Sequence, residues 1–233
     1  MQNTPAELRE RFDAVGPWFT RYEIGDVGLG GDNSYDEDYR VGLFFEWLGE
    51  PRTILELSSF EGGHSLQLAD PPFVEQVVGL EGRPENIERA KLAVELLGRG
   101  NTEFVQVDLD RESLSLEQYG TFDAVFCAGL LYHLTHPWFL IEKVAEVTDR
   151  FFLDTHYSKR DDVRIGDYVG SRFKEGGYND PLSGLSEASF WMTLPCLKET
   201  LEAVGFQIRH ERIVPDWAGA GPRVHLAAVK GAS

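Results

Sequence analysis

The sequence predicts an α/β fold: one doubly wound, mostly parallel sheet of seven strands whose last strand is antiparallel. Three observations carry this. Five short apolar runs alternate with helical stretches of about ten residues or more, the spacing that parallel crossovers require. The chain closes on two β-type runs joined by a Pro/Gly turn, which is a hairpin. Its 233 residues, 42% hydrophobic with 15 Phe, 8 Tyr and 5 Trp, suffice for one large buried core.

The elements follow in order. Residues 1–50 read as an N-terminal segment packed on the main domain: a short helix, then a loop through the Gly/Asp-rich stretch from Gly25 to Asp32. Val41 to Leu48 is apolar at helical spacing and stops before Gly49 and Pro51. Residues 51–233 form the main domain. Thr53 to Leu57 is its first strand, and a helix opens after Gly62 and Gly63. Gln76 to Glu81 is the second strand, followed by a helix from Pro84 with Ile87, Ala90, Val94 and Leu97 on one face. Strands at Thr102 to Val107, Phe122 to Ala128 and Arg150 to Asp154 follow, with a helix from Pro137 before the last. Thr155 to Trp191 is polar, too long for an ordinary connection, and is expected to be an ordered lid inserted over residues 155–192. Thr193 then caps a helix closed by Gly205, and strands at Phe206 to Val214 and Val224 to Val229 flank the turn Pro215 to Pro222.

The net charge of −17 disfavours phosphate backbones and anionic lipid, so nucleic-acid and membrane partners are not expected. No apolar run reaches the roughly 18 residues of a spanning helix. Cys127 and Cys196 lack a metal spacing and read as buried free thiols, which suits a cytoplasmic setting. A homodimer is left open.

The informative stretch runs from Ile54 to Ser65. A strand ends on an acid, Glu56; small residues follow; a helix begins. That turn lets a ligand approach backbone N–H groups. Glu81 ends the next strand 19 residues past Gly62, the distance of a ribose-binding carboxylate, and Asp108 ends the third. Acids at the carboxyl ends of adjacent parallel strands face one crevice, which suits a nucleoside. A dehydrogenase would carry G-x-G-x-x-G here, and Leu57 to Gly63 does not.

With those residues in place, Thr53 to Tyr157 resembles the class I S-adenosylmethionine-dependent methyltransferases, whose Rossmann-like sheet also ends on an antiparallel strand. Gly129-Leu-Leu-Tyr-His133, with Pro137 and then Leu153 to His156, resembles a subgroup containing tRNA wobble-uridine carboxymethyltransferases and small-molecule or sugar methyltransferases. The resemblance implies S-adenosyl-L-methionine as cofactor, held by Glu56, Ser58, Gly62, Glu81, Asp108, Leu109 and Ala128. Ser58 departs from the pattern, standing where the family has its first glycine, and is expected to weaken cofactor binding without abolishing it. The acceptor is expected to be a small molecule with an oxygen or nitrogen nucleophile. The tRNA branch needs a basic surface that this chain lacks, and a non-catalytic nucleoside-binding module is the other rival.

Methyl transfer needs alignment and, for a protonated nucleophile, a base. His156, after strand five, is the first expectation for that base, ahead of His133 and Tyr157. Tyr22, Arg40, Arg172 and Trp191 are further acceptor-site candidates. Trp18 to Tyr39 and the lid are expected to cover that site together. Asp154 and the Asp161–Asp162 pair are hard oxygen donors, yet paired acids in a polar loop are ordinarily solvated, and no metal is expected.

Overall fold

The computed structural model describes residues 4–34, 37–214, 216 and 221–231. In chain order the elements are α1 (Pro5–Val15), β1 (Thr20–Ile24), β2 (Val27–Gly30), β3 (Asn33–Ser34), α2 (Tyr39–Leu48), β4 (Thr53–Leu57), α3 (Gly63–Leu68), β5 (Gln76–Glu81), α4 (Pro84–Leu97) and β6 (Thr102–Gln106). Then come β7 (Ala124–Ala128), α5 (Pro137–Val147), β8 (Arg150–His156), β9 (Val163–Ile165), β10 (Tyr168–Lys174), β11 (Ala188–Met192), α6 (Leu194–Ala203), β12 (Phe206–Val214) and β13 (Arg223–Lys230).

The central sheet has the order β12-β13-β8-β7-β4-β5-β6. Strands β4 to β8 are mutually parallel, and β13 runs antiparallel to both β8 and β12. The chain turns outward twice from β4, so the ends of β4 and β7 flank the crevice where a doubly wound sheet binds ligands.

Strand alternation divides the core between the two faces. Ile54, Phe126 and Phe152 meet Val41, Phe44 and Leu48 of α2 and Leu68 of α3. Leu55, Val125, Phe151 and Leu153 meet the apolar faces of α5 and α6. Local signals fix the helix starts: Thr4 and Glu7 form a reciprocal capping box, Asp38 accepts from the N–H of Arg40, and Thr193 accepts from that of Cys196. Both cysteines are buried and free.

Two expectations about the appended segments are corrected. The Gly/Asp-rich N-terminal stretch is a small sheet of order β2-β1-β3, not a loop. It packs on α1 and α4 through Phe12, Tyr22, Leu29 and Ala93, and its start meets the turn after β4, where Glu61 accepts from the Phe19 and Thr20 N–H groups and Phe19 lies against Phe60. The lid is likewise a three-stranded sheet, β11-β10-β9, and it begins later than expected because β8 continues through Thr155 and His156. In both, a two-residue Gly-Asp connection closes a hairpin: Gly25-Asp26 between Ile24 and Val27, Gly166-Asp167 between Ile165 and Tyr168. Gly25 and Gly166 have φ of 60° and 58°, the left-handed conformation such tight turns demand. Most of the Pro215 to Pro222 turn lies outside the described residues.

Phe152 is fully buried, stacked on Phe126 with centroids 5.3 Å apart, and it meets the edge of Phe44. Phe152→Ala is expected to lose about 3–5 kcal/mol of unfolding free energy in urea titrations, the cost of an aromatic deletion in a close-packed core. A loss below about 1 kcal/mol would mean that this face of the sheet repacks freely.

Candidate functional site

The carboxyl ends of β4, β5 and β7 open into a cavity of about 310 Å³. Ser58, Ser59 and Phe60 form one wall, Glu81 and Arg83 a second, and Ala128, Gly129, Tyr132 and His133 a third. Arg40 of α2 and Arg223 of β13 close one end, and Pro181 to Ser183 lie over the top. A smaller cavity of about 60 Å³ shares Ser58, Glu81, Arg83, His133 and Ser183 with it, and extends the groove to Asp108 and Leu109. Ser58, Glu81, Asp108, Leu109 and Ala128 are therefore brought together.

Glu81 is 3% exposed and organises its surroundings. Its Oε2 accepts from the N–H of Phe60 at 3.0 Å, and its Oε1 from the N–H of Arg83 at 2.9 Å and Asn86 Nδ2 at 3.2 Å. Three donors leave a carboxylate room for another. The turn it grips is strained: Ser58 and Phe60 have φ of 64° and 51°, a region costing a non-glycine residue about 1–2 kcal/mol. Ser58 thus stands where glycine is conformationally preferred.

Two expected cofactor residues do not line the groove. Gly62, at φ 90°, is a packing residue; a Cβ there would stand 3.1 Å from that of Ala90 on α4. Glu56 is sealed beneath the turn, 1% exposed, with Oε2 accepting from the Ser65 hydroxyl and Oε1 lacking a hydrogen-bond partner among the described residues, 3.9 Å from His64 Nδ1. Burial pushes its carboxyl up to about 8, although Ser65 pulls the other way.

At the far end, fully buried Asp154 holds Arg40 and Arg223. Its Oδ2 lies 3.0 Å from Arg40 Nη1 and 3.5 Å from Arg223 Nη1, and its Oδ1 lies 3.1 Å from His225 Nδ1. Burial alone would raise this carboxyl, yet His225, Arg223 and Arg40 outweigh it and hold it low. Asp38 is also held far below the usual range, because hydrogen bonds from His64 and Arg40 exceed the opposing effect of burial. Arg40 is the one acceptor-site candidate from the N-terminal segment that lines the groove; Tyr22 instead donates to the Glu61 carbonyl beneath it.

Among the base candidates, His133 lines both cavities. Its Nδ1 lies 2.9 Å from Glu175 Oε2, and its Nε2 has no hydrogen-bond partner among the described residues. Burial lowers its proton affinity, and Glu175 partly restores it. His156, the first expectation, lies elsewhere. Both its nitrogens are engaged, Nδ1 with the Pro222 carbonyl at 3.2 Å and Nε2 with Arg223 Nη2 at 3.0 Å. Its ring stacks on Trp191 and meets the edge of Tyr132, in a crevice of about 10 Å³ behind the groove wall. Tyr157 packs against the core and gives its N–H to Pro222. Arg172 and Trp191 do not line the groove either; they face one another's strands as neighbours in the lid sheet.

Sequence reasoning missed Arg83, Glu175 and Arg223. The Arg83 guanidinium, buried, donates to the carbonyls of Gly177, Tyr178, Asp180, Ser183 and Gly184, and so pins the lid loop beside Glu81. Only its place two residues after the strand-end acid could have drawn notice. The Ser59 hydroxyl is buried against Gly79 of β5 and has no hydrogen-bond partner among the described residues. Glu81, Arg40 and Arg223 form a donor and acceptor set that fits a nucleoside bearing a carboxylate. Among the described residues, no group of three His, Cys, Asp or Glu is placed to hold a metal ion. Because Glu56 rises from 4.5 to about 8, folding favours its protonated form. Stability is therefore expected to fall as pH rises through that window and to level off above it. Glu56→Gln should remove this slope in denaturation measured across the range, whereas an unchanged slope would show that Glu56 titrates normally.

Residues 54–150 match a methyltransferase domain model. No curated protein matches the chain. The N-terminal domain of EvdMO1, crystallised in the presence of SAH and D-fucose, is similar over all of this chain and 98% of that one, at 31% identity and a TM-score of 0.84. Against the longer EvdMO1 chain, 97% of this chain covers 47% of that one, at 30% identity and a TM-score of 0.71. The Burkholderia thailandensis 1,6-didemethyltoxoflavin-N1-methyltransferase, with S-adenosylhomocysteine bound, is 17% identical over 84% of this chain and 78% of that one, at a TM-score of 0.58, and shares the fold. Full-length similarity to an SAH-binding domain, on a sheet with this strand order and this groove, shows that the chain belongs to the S-adenosylmethionine-dependent methyltransferases, with S-adenosyl-L-methionine as its cofactor.

Proposed function

We propose that this enzyme methylates a hydroxyl group of a small, sugar-like acceptor, with His133 as the base. The observation that carries the reading is a histidine in the groove with one nitrogen tied to a carboxylate and the other free. The whole-length likeness to a domain crystallised with D-fucose supports the acceptor class. A net charge of −17 disfavours tRNA, the polyanionic alternative.

The residues divide the work along the groove. Glu81 would accept the ribose hydroxyls, Asp108 and Leu109 would receive the adenine, and Arg40 and Arg223 would face the amino-acid end, each lining the groove at that point. The bound cofactor supplies a methyl carbon on a positively charged sulfur, which leaves as a neutral thioether when that carbon is attacked. An alcohol oxygen is a weak nucleophile until its proton is removed. His133 Nε2 would take that proton as the acceptor oxygen attacks the methyl carbon that the bound cofactor would supply, the thioether leaving with the bond's electron pair. The lid loop over the groove keeps water out of the attacking position.

The test pairs an acceptor panel with one substitution. With S-adenosylmethionine and D-fucose or related deoxysugars, mass spectrometry should find one added methyl group. His133→Asn should retain cofactor affinity and lose about 10²–10⁴-fold in turnover. Since burial lowers the proton affinity of His133, the parent rate should rise with pH with its midpoint below the usual histidine value of about 6.5. Methylation of no sugar alongside methylation of amines would overturn the acceptor class; an Asn variant as fast as the parent would overturn the base.

A further inference from the structure

We infer that Glu175 is a positioning residue for the reaction: carried by the lid, it fixes the tautomer of His133, so that the base is complete only while the lid is seated. The inference rests on the reading of His133 as the base. Glu175 follows β10 of the lid sheet and lies 42 positions from His133, which follows β7 of the central sheet. Its side chain is 9% exposed. Its Oε1 accepts from the Ser189 hydroxyl at 2.7 Å; its Oε2 accepts from the Ser183 hydroxyl at 3.0 Å and the Gly184 N–H at 3.5 Å. A carboxylate with these donors is an acceptor only, so the fourth contact, from His133 Nδ1 at 2.9 Å, is a donated N–H. The proton on Nδ1 leaves the Nε2 lone pair as the ring's single basic site.

The same contacts make this arrangement conditional on the lid. Ser183 and Gly184 belong to the loop that Arg83 pins through five carbonyls, and Ser189 belongs to β11. If the loop lifts, Glu175 loses Ser183 and Gly184 together, and His133 loses the partner that sets its tautomer. Arg83 itself is placed by Glu81, through its backbone N–H. A single chain of contacts therefore runs from the strand-end acid through the lid to the base.

Glu175→Gln keeps the shape but lets an amide N–H face Nδ1, which favours the wrong tautomer. Turnover should fall about 10²-fold, with cofactor affinity and melting temperature retained. Glu175→Asp should restore part of the rate. The charged groups facing His133 are Glu175, Arg83 and Arg223, the last across Tyr132. Removing the one anion should move the limb of the pH–rate profile to lower pH. Nitrogen-edited NMR of the His133 ring reads the tautomer without turnover: Nδ1–H in the parent, and a shift toward Nε2–H in Glu175→Gln. If His133→Asn is inactive while Glu175→Gln keeps the parent's rate, pH limb and ring tautomer, the Glu175 role is overturned and the base stands. If His133→Asn keeps the parent's rate, the base itself is overturned, and the role of Glu175 with it.

Discussion

The Glu81 carboxylate joins parts of the chain that are far apart in sequence, and the site depends on that junction. One oxygen captures the backbone of the turn after β4, and the other caps the start of α4 through Arg83 and Asn86. The turn would otherwise be free to relax, since Ser58 and Phe60 sit in left-handed conformations that only surrounding contacts can impose. From the α4 side, the Arg83 guanidinium then gathers five lid carbonyls. One buried anion thus shapes the cofactor turn and anchors the cover above it.

A second constraint is electrostatic. The chain carries a net charge of −17, yet Arg40, Arg83 and Arg223 line the groove cavity, with Glu81 its only carboxylate among the described residues. Desolvating those cations would be costly without partners. Asp154 and Asp38 supply them from below: Asp154 bridges Arg40 to Arg223, and Asp38 bridges Arg40 to His64. The arginines are therefore held rigidly toward the groove, and a ligand carboxylate meets them without waiting for side chains to order.

The central sheet was legible because its signals are local. Runs such as Thr53 to Leu57 and Gln76 to Glu81 are apolar on both faces, as buried parallel strands must be, and their end residues place the ligand crevice. Both small sheets were misread as loops, although Ile-Gly-Asp at 24–26 and again at 165–167 announces two-residue hairpins. Short strands rich in glycine and charge hid that signal. The two candidate histidines differ only in tertiary contacts that the sequence hides: His133 follows β7 and His156 ends β8, and Arg223 and Pro222, at the start of β13, engage both nitrogens of His156. Glu175 carries no sequence signal at all, because its role exists only once the lid folds back onto β7's end.

A crystal structure of the S-adenosylhomocysteine complex is the most direct test. Ribose hydroxyls are expected on Glu81, Arg83 still bound to the carbonyls of 177–184, and Glu175 on His133 Nδ1 with the acceptor space next to Nε2. A complex in which the nucleoside leaves Glu81 untouched, or in which the lid is seated while Glu175 stands away from His133, would contradict this arrangement.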